Sequence, residues 1–210
     1  MSSPSPTHYV VIDLEATCCD DYSFPREETE IIEIGAVLVS AESLKAEAEF
    51  QTFVKPVRHA KLTPFCTQLT TITQADVDRA PRFPQAIFAL GSFLRGKDAL
   101  FCSWGGYDRN QFRRDAQYHR VKLPLGDRHL NLKEAFSKRL GESREFGTGQ
   151  ALRRVGLSFS GTHHRAIDDA RNIARLLPFA LGVSTPTATE RPPDEHRRGD
   201  YRAGHYRAGR

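Results

Sequence analysis

YVVIDLEAT, residues 9–17, is an apolar and largely β-branched run that leads into two carboxylates. Such residues favour extended backbone, and a run that is apolar on both faces is typical of a strand buried within a sheet. Side chains two residues apart on a strand point to the same face, so Asp13 and Glu15 should lie about 6.6 Å apart on one side. The stretch therefore predicts a buried strand with two acids at its end.

The regions that follow predict an α/β fold. Apolar runs predict strands at residues 31–39 and 49–54, which gives a three-stranded meander with a long loop from Ala16 to Thr29. Thr73 and Asp76 have the spacing of a helix N-terminal cap. Helical periodicity then alternates with short strands. The later elements are predicted at residues 84–95 (helix), 99–103 (strand), 107–119 (helix), 129–131 (strand), 132–140 (helix) and 166–177 (helix).

The bulk properties are those of one ordinary domain rather than of a membrane protein. Of 210 residues, 39% are hydrophobic and 27% are charged, and this length is sufficient for a substantial core. No apolar run approaches the roughly 20 residues of a membrane span. Residues 1–8 lack the basic and apolar segments of a secretory signal. We therefore expect a cytoplasmic protein that does not contact membranes.

The four cysteines fit a reducing compartment. Cys18, Cys19, Cys66 and Cys102 include no C-x-x-C pair, and their density is far below that of a disulfide-rich fold. Zinc binding by Cys18 and Cys19 is an alternative, but adjacent cysteines lack the spacing of two to four residues that tetrahedral sites use. Reduced thiols are therefore the expectation.

The net positive charge is confined to the C-terminal end. The formal net charge is +4, and residues 196–210 account for all of it with five arginines against Asp200. The neutral remainder says little about partners. From Val183 onwards Ser, Thr, Pro, Gly and Arg dominate, and these residues bury too little apolar area to offset chain entropy. The sequence predicts one folded domain over residues 1–182 and a disordered Arg/Gly-rich tail over residues 183–210.

Further polar residues at predicted helix starts join the two strand acids. Asp108 begins a helix, where a carboxylate interacts favourably with the dipole, and His164 and Asp169 lie in a polar first turn. Each of these residues alone has such a structural explanation. Together they offer oxygen ligands of the kind that Mg²⁺ prefers, and two such ions can stabilise both the attacking and the leaving oxygens of a phosphodiester.

The order and spacing of these residues resemble a known family. The three motifs of the DnaQ-like, His-subclass DEDD exonucleases are similar to Asp13-Leu-Glu15-Ala-Thr17, Asp108 with Phe112, and His164-Arg-Ala-Ile-Asp-Asp169. The resemblance covers roughly residues 9–177. Within the family, the sequence is similar to the subfamily of Eri-type, histone-mRNA 3′-end and bacterial KapD-like exonucleases. That subfamily is similar over residues 13–18, 30–33, 69–74, 77–80 and 168–175.

The resemblance implies a fold, an activity and a set of ligands. The fold would be ribonuclease H-like, an α/β domain with a mixed five-stranded sheet, its second strand antiparallel, flanked by helices. The activity would be 3′-to-5′ removal of nucleoside monophosphates from the ends of single-stranded nucleic acid. Two Mg²⁺ or Mn²⁺ ions would be held by four carboxylates, Asp13, Glu15, Asp108 and Asp169.

The resemblance also assigns His164 as the general base. An imidazole has an unperturbed pKa of about 6.5, which suits the removal of a proton from water near neutral pH. His163 is the competing candidate, but it lies six residues before Asp169, where the motif has five.

A pocket for the terminal nucleotide is implied as well. Stacking of a base on an aromatic ring contributes about 1–3 kcal/mol and does not depend on base identity. The sugar would meet the chain at Glu15, Ala16 and Thr17, and the base would be enclosed by Phe65, Leu69 and Tyr107. Packing in the hydrophobic core would explain Phe65 and Leu69 equally well.

Other functions stay open at the level of the sequence. A regulatory or nucleic-acid-binding protein could keep this fold without catalysis, although all five motif positions hold chemically competent residues. A small-molecule phosphodiesterase could use the same ions. Gly106 and Tyr107 stand where subfamily members often have an acidic residue and a tryptophan. We expect single-stranded RNA or DNA 3′ ends as partners, and the resemblance alone favours RNA.

Overall fold

In the computed structural model, which describes residues 5–185, a mixed five-stranded sheet occupies the centre of the molecule. Its strands are β1 (His8–Ala16), β2 (Ile31–Ser40), β3 (Ala46–Phe53), β4 (Ala99–Ser103) and β5 (His129–Asn131). The strand order is β3-β2-β1-β4-β5, with β2 antiparallel to both neighbours and β1, β4 and β5 mutually parallel. The predicted sheet is confirmed, and the stretch YVVIDLEAT forms its central strand.

Within residues 5–185, seven helices flank the sheet. They are α1 (Pro64–Thr70), α2 (Gln74–Asp78), α3 (Phe83–Phe93), α4 (Tyr107–His119), α5 (Leu132–Arg139), α6 (Thr148–Arg154) and α7 (Ala166–Ala180). A 3₁₀ turn at Arg26–Glu28 lies within the long loop after β1. The predicted bounds of β4 and α4 are confirmed, and the cap at Thr73 and Asp76 forms a full capping box at the start of α2.

Some elements differ from the predictions for local reasons. β3 begins at Ala46, three residues early, because it continues its pairing with β2 to Val39. Helix α7 extends past the predicted end at residue 177 because Ala180 packs in the core, although Pro178 lacks an amide hydrogen. The short helices α1 and α6, of seven residues each, were not predicted, since they hold too few turns for a clear periodicity.

Two hydrophobic clusters lie on opposite faces of the sheet, and β1 contributes to both. Val10, Ile12 and Leu14 pack with α3 and α4 on one face. Val11 packs with α5, α6 and α7 on the other. Since side chains alternate along a strand, Asp13 follows Val11 on the α7 side. The apolar run on both faces of β1 is therefore buried as predicted.

Helix α7 begins directly against β2, and Gly35 permits this close approach. A Cβ atom at Gly35 would collide with the backbone of Ala166. Gly35 is also the β2 residue opposite Asp13. The glycine therefore brings the first turn of α7 next to the acidic end of β1.

The remaining sequence expectations concern thiols, membranes and the tail. All four cysteines are free, in agreement with the expected reduced thiols. Within residues 5–185, no helix has the length and apolar character that crossing a bilayer requires. Apart from its first three residues, the predicted tail at 183–210 lies outside the described residues, and its boundary stays a prediction.

Candidate active site

Three predicted acids converge where β1 ends and α7 begins. Carboxylate oxygens of Asp13, Glu15 and Asp169 all lie within 4.8 Å of one another. The backbone of β1 fixes the first two, since Asp13 pairs with Gly35 and Glu15 pairs with Glu33 on β2. The two-residue spacing at the strand end thus places both carboxylates on the face that meets α7.

The fourth predicted acid approaches the same strand from α4. Asp108 is 4% exposed and lies in the first turn of that helix. Its Oδ1 atom accepts a hydrogen bond of 3.2 Å from the amide of Leu14, the residue between Asp13 and Glu15. Asp108 is therefore tied to β1, although it lies outside the tightest group of three acids.

The acids of this site disfavour one another's charge. Burial raises the pKa of Asp13 well above its usual value, and the nearby carboxylate of Asp108 raises it further. Burial likewise raises the pKa of Glu15, with Asp169 as the next cause. The pKa of Asp108 is raised by burial to about 7, and that of Asp169 by burial to about 6. Several closely spaced carboxyls that carry like charges form the donor set that a divalent cation stabilises.

His164 stands at the edge of this cluster in a constrained conformation. Its φ of 60° is left-handed, and its amide donates a 2.8 Å hydrogen bond to Asp169 Oδ2. The imidazole Nδ1 lies 3.9 Å from Glu15 Oε1, and the side chain is 37% exposed. Burial lowers the pKa of His164, and the neighbouring His163 lowers it further. The ring is therefore neutral near pH 7 and in reach of solvent.

His163, the competing base, is engaged elsewhere. Its ring stacks on Phe159 with 3.6 Å between ring centroids. Among the described groups of potential metal ligands, neither His163 nor any cysteine joins the three acids. The geometry therefore favours His164 over His163, in agreement with the spacing of the motif.

A buried ion pair, missed by the sequence reasoning, fixes the start of α7. Glu33 is fully buried on β2, and its two oxygens accept hydrogen bonds of 3.1 and 3.2 Å from Arg165 Nε and Nη2. Glu33 also accepts from the Ala166 amide at 3.1 Å and from Gln51 Nε2 at 2.8 Å. Arg165 directly follows His164, so this pair sets the position of the candidate base. The available signal was a glutamate inside an otherwise apolar strand.

Tyr107 is the predicted pocket residue that is most open to solvent. It is 37% exposed, next to Asp108, and its ring lies 5.7 Å from the Arg26 guanidinium. Desolvation of its hydroxyl end raises the pKa of Tyr107, and the Asp108 carboxylate raises it further. The phenol is therefore neutral and available as a hydrogen-bond donor beside the acids.

Phe65 and Leu69 lie on α1, which is fastened to the loop after β1. Both are partly buried, and neither belongs to the described core clusters. The helix is attached through Cys66, whose Sγ atom donates to the Ala16 carbonyl at 3.7 Å. The Thr63 hydroxyl donates to the Cys18 carbonyl at 2.6 Å. Core packing alone therefore does not explain these two apolar side chains.

Ala16 and Thr17 are both buried behind the acids. Ala16 is 7% exposed and Thr17 is 2% exposed. The Thr17 hydroxyl accepts a 2.9 Å hydrogen bond from the Glu30 amide. The side chain of Thr17 is thus directed inward and stabilises the loop rather than facing solvent.

The fold and the site together define a class of protein. It is the class of α/β domains whose central strand ends in an acidic centre for divalent cations. Similar solved structures include the nuclease domain of 3′hExo, a DEDDh family member bound to rAMP. Its TM-score is 0.79 at 28% sequence identity, and the match covers 87% of this chain and 95% of that chain. This similarity confirms the ribonuclease H-like fold.

The chain belongs to the RNase_T exonuclease family, whose model matches residues 10–177. It is 32% identical over 185 residues to ERI1 exoribonuclease 3 of Mus musculus, covering 83% of this chain and 54% of that protein. It is 30% identical over 193 residues to the 3′-5′ exonuclease Snipper of Drosophila melanogaster, covering 82% and 69%. The chain thus spans about half the length of the mammalian relative. The DEDDh exonucleases use divalent metal ions.

Proposed function

We propose that this chain is a metal-dependent 3′-to-5′ exonuclease that releases nucleoside monophosphates from the 3′ ends of single-stranded RNA. The observation that carries the proposal is the convergence of Asp13, Glu15 and Asp169 within 4.8 Å at the end of β1. Family membership supports the reaction type. A setting in a reducing compartment such as the cytoplasm is part of the proposal, and the free thiols support it.

Two Mg²⁺ or Mn²⁺ ions are the proposed cofactors. All the donors are carboxylate oxygens, which suit hard cations rather than zinc or copper. Bound ions would supply positive charge that stabilises the charge developing on the phosphate and on the leaving oxygen. The residues that would hold them are Asp13, Glu15, Asp108 and Asp169.

His164 is the proposed general base. A base must accept a proton, and the lowered pKa of His164 keeps its ring neutral near pH 7. The hydrogen bond from its amide to Asp169 and the ion pair of the next residue, Arg165, with Glu33 hold the ring beside the acids. His164 would take the proton from the attacking water.

The proposed nucleotide pocket lies between α1 and the start of α4. Phe65 and Leu69 would contact one side of the terminal base and Tyr107 the other, while the chain at Ala16 would meet the sugar. Thr17 would act by holding the loop behind Ala16, since its hydroxyl is bonded to the Glu30 amide. Stacking of this kind accepts any base.

RNA is the proposed substrate because of what similar proteins are known to bind. The related 3′hExo structure contains rAMP, and another similar structure, at 27% identity and a TM-score of 0.77, shows recognition of a histone mRNA stem-loop by a 3′-exonuclease. A protein that only binds or regulates nucleic acid is the alternative. The intact set of acids with an adjacent neutral histidine supports hydrolysis instead.

End-labelled oligonucleotides test the proposal. A 5′-labelled single-stranded 12-mer RNA and a DNA of the same sequence are incubated with Mg²⁺, and the products are resolved at single-nucleotide steps. We expect RNA to shorten one nucleotide at a time from its 3′ end, and EDTA to stop the reaction. Uncut RNA, or release of the labelled 5′ nucleotide first, would contradict the proposal.

A further inference from the structure

A groove follows the β5 edge of the sheet. It has a volume of about 440 Å³ and lies between α4, the edge strand β5 and α5. One of its lining residues is Gly106, which directly precedes Tyr107 and Asp108. We call it the β5-edge groove and define it by Gly106, Arg109, His129, Asn131, Glu134 and Lys138. The groove therefore begins one residue away from Tyr107, which is proposed to contact the terminal base.

The lining of this groove holds two cations and one acid. Arg109 and Lys138 line it, and within residues 5–185 neither forms an ion pair. The Arg109 Nε atom is buried and has no hydrogen-bond partner among the described residues. Glu134 is the acid in the lining, at its exposed edge. An unpaired guanidinium at a groove wall offers a donor set to an anion.

The positive wall continues past β5. A second groove of about 290 Å³ shares Arg109 and His129 and adds Arg113 and Lys122, with Asp127 as its acid. Burial, followed by the charges of Arg109 and Arg113, lowers the pKa of His129 to about 4. The imidazole is thus neutral, and the two guanidiniums that flank it create a local positive potential that extends away from the acidic site.

We propose that the β5-edge groove binds the sugar-phosphate backbone of the substrate strand just upstream of its 3′-terminal nucleotide. This inference rests on the proposed function, because the position of Gly106 next to Tyr107 and Asp108, together with the cationic lining, identifies the strand as occupant. Arg109 and Lys138 contact phosphates, and Arg109 can do so with a guanidinium fork. Leu130 and Ala135 form an apolar floor that tolerates any sequence. The groove thereby selects a polynucleotide over a single nucleotide.

Substrates of two lengths test this inference. The double variant Arg109→Gln/Lys138→Gln is compared with wild type on a 12-mer RNA and on a dinucleotide, which has no phosphate upstream of the one that is cleaved. For the 12-mer we expect KM to rise about 10-fold or more with kcat nearly unchanged, and the salt dependence of log KM to fall by about 0.7 per lost phosphate contact. For the dinucleotide we expect no change in either constant.

Two further variants show whether an effect of the double variant comes from contacts in the groove, from the loss of positive charge in general, or from misfolding. Arg95→Gln removes an exposed cation from a different groove, next to α3, and should leave KM for the 12-mer unchanged. Lys138 is exposed on α5, so the single variant Lys138→Glu tests the groove even if the double variant does not fold. It should raise KM for the 12-mer by more than about 3-fold.

The failures of the two proposals are distinguishable. If wild type cleaves neither substrate, the proposed function fails. If wild type cleaves both and the groove variants match it on the 12-mer, the groove inference is overturned while the function stands. Equal losses on the dinucleotide would also overturn it, because the residues would then act on the acidic site itself.

Discussion

Asp13 and Glu15 are fixed by the backbone of β1, whereas His164 and Asp169 are fixed by side-chain contacts at the start of α7. Strand β1 lies in the middle of the sheet and pairs with β2 along its length and with β4 over residues 8–11. The start of α7 instead depends on the Glu33–Arg165 pair and on a glycine that allows close approach. One half of the site is thus a property of the sheet, and the other half can be displaced by a single side-chain change.

The two halves of the site should respond differently to single substitutions. Removal of an acid from β1 should leave the fold intact and relieve repulsion, because the strand does not rely on those carboxylates. Disruption of the α7 anchor should displace His164 and Asp169 while β1 keeps its geometry. Single substitutions can therefore disturb one half at a time.

The largest effect on activity is expected for Asp13→Asn, in the half of the site that β1 positions. We expect RNA cleavage to fall to background, because the substituted amide cannot supply the negative charge that holds a cation. The free energy of unfolding in EDTA should stay the same or rise by about 1–2 kcal/mol, since a repelling buried carboxyl is removed. Cleavage assays and urea unfolding check both parts. Retention of near wild-type turnover would remove Asp13 from the site.

His164→Asn, on the α7-held half, should reduce kcat by about 10²–10⁴-fold. Asparagine tolerates the left-handed backbone at this position, so the fold should persist. In wild type, kcat should rise with pH across the pKa of His164, which lies below the ordinary histidine value, and this limb should flatten in the variant. His163→Asn is the matched control and should behave as wild type. The reverse outcome would assign the base to His163.

Glu33→Gln tests the α7 anchor without altering a proposed ligand. We expect kcat to fall about 10–100-fold with a small change in RNA affinity, since Asp169 and His164 are displaced together while the β1 acids stay in place. The protein should lose about 2 kcal/mol of stability, because Arg165 loses a buried partner but stays partly solvated.

Glu49→Gln is the matched control for this anchor. Glu49 on β3 pairs with Arg171 on α7, but both side chains are more than 40% exposed. An exposed pair contributes little, so stability should change by less than about 1 kcal/mol and kcat should be unchanged. If the two variants behaved alike, the buried pair would have no special role in holding α7.

A smaller effect concerns pH and the stability of the metal-free protein. Burial raises the pKa of Asp169 to about 6 and that of Asp108 to about 7. Carboxyls with raised folded pKa values contribute stability below their unfolded values, near pH 4, and that stability is lost as pH rises through the folded values. In EDTA the free energy of unfolding should therefore fall between about pH 4 and pH 7. The slope should be shallower in Asp108→Asn and absent with saturating Mn²⁺.

Elements with strong local sequence patterns could be predicted, whereas contacts between distant residues could not. β1 was predictable because its sequence is apolar on both faces. α4 was predictable because its helical periodicity continues over more than three turns. The spacing from His164 to Asp169 also indicated a shared site. The contact of Glu33 with Arg165 was not predictable, since 132 residues separate them and only the folded chain shows which cation the buried glutamate meets.

Local signals were also incomplete for the pocket. α1 carries a cap at Thr63 followed by a proline, but its seven residues give no periodicity, so the helix that holds Phe65 and Leu69 was not predicted. Thr17 followed the acids in the motif, yet its hydroxyl is committed to the Glu30 amide. Strand alternation does not continue into a loop, so sequence spacing did not determine where Thr17 points.

Acids from β1 and from α7 should hold divalent cations together. Mn²⁺ binding, measured by the electron paramagnetic resonance of the free ion, tests this most directly. Wild type, Asp13→Asn from β1 and Asp169→Asn from α7 are titrated with Mn²⁺ under identical conditions. We predict tight binding to wild type and at least about 100-fold weaker binding to each variant, because outer contacts alone affect metal affinity by about 10–100-fold. Wild-type affinity in either variant, or no Mn²⁺ binding by wild type, would contradict the account.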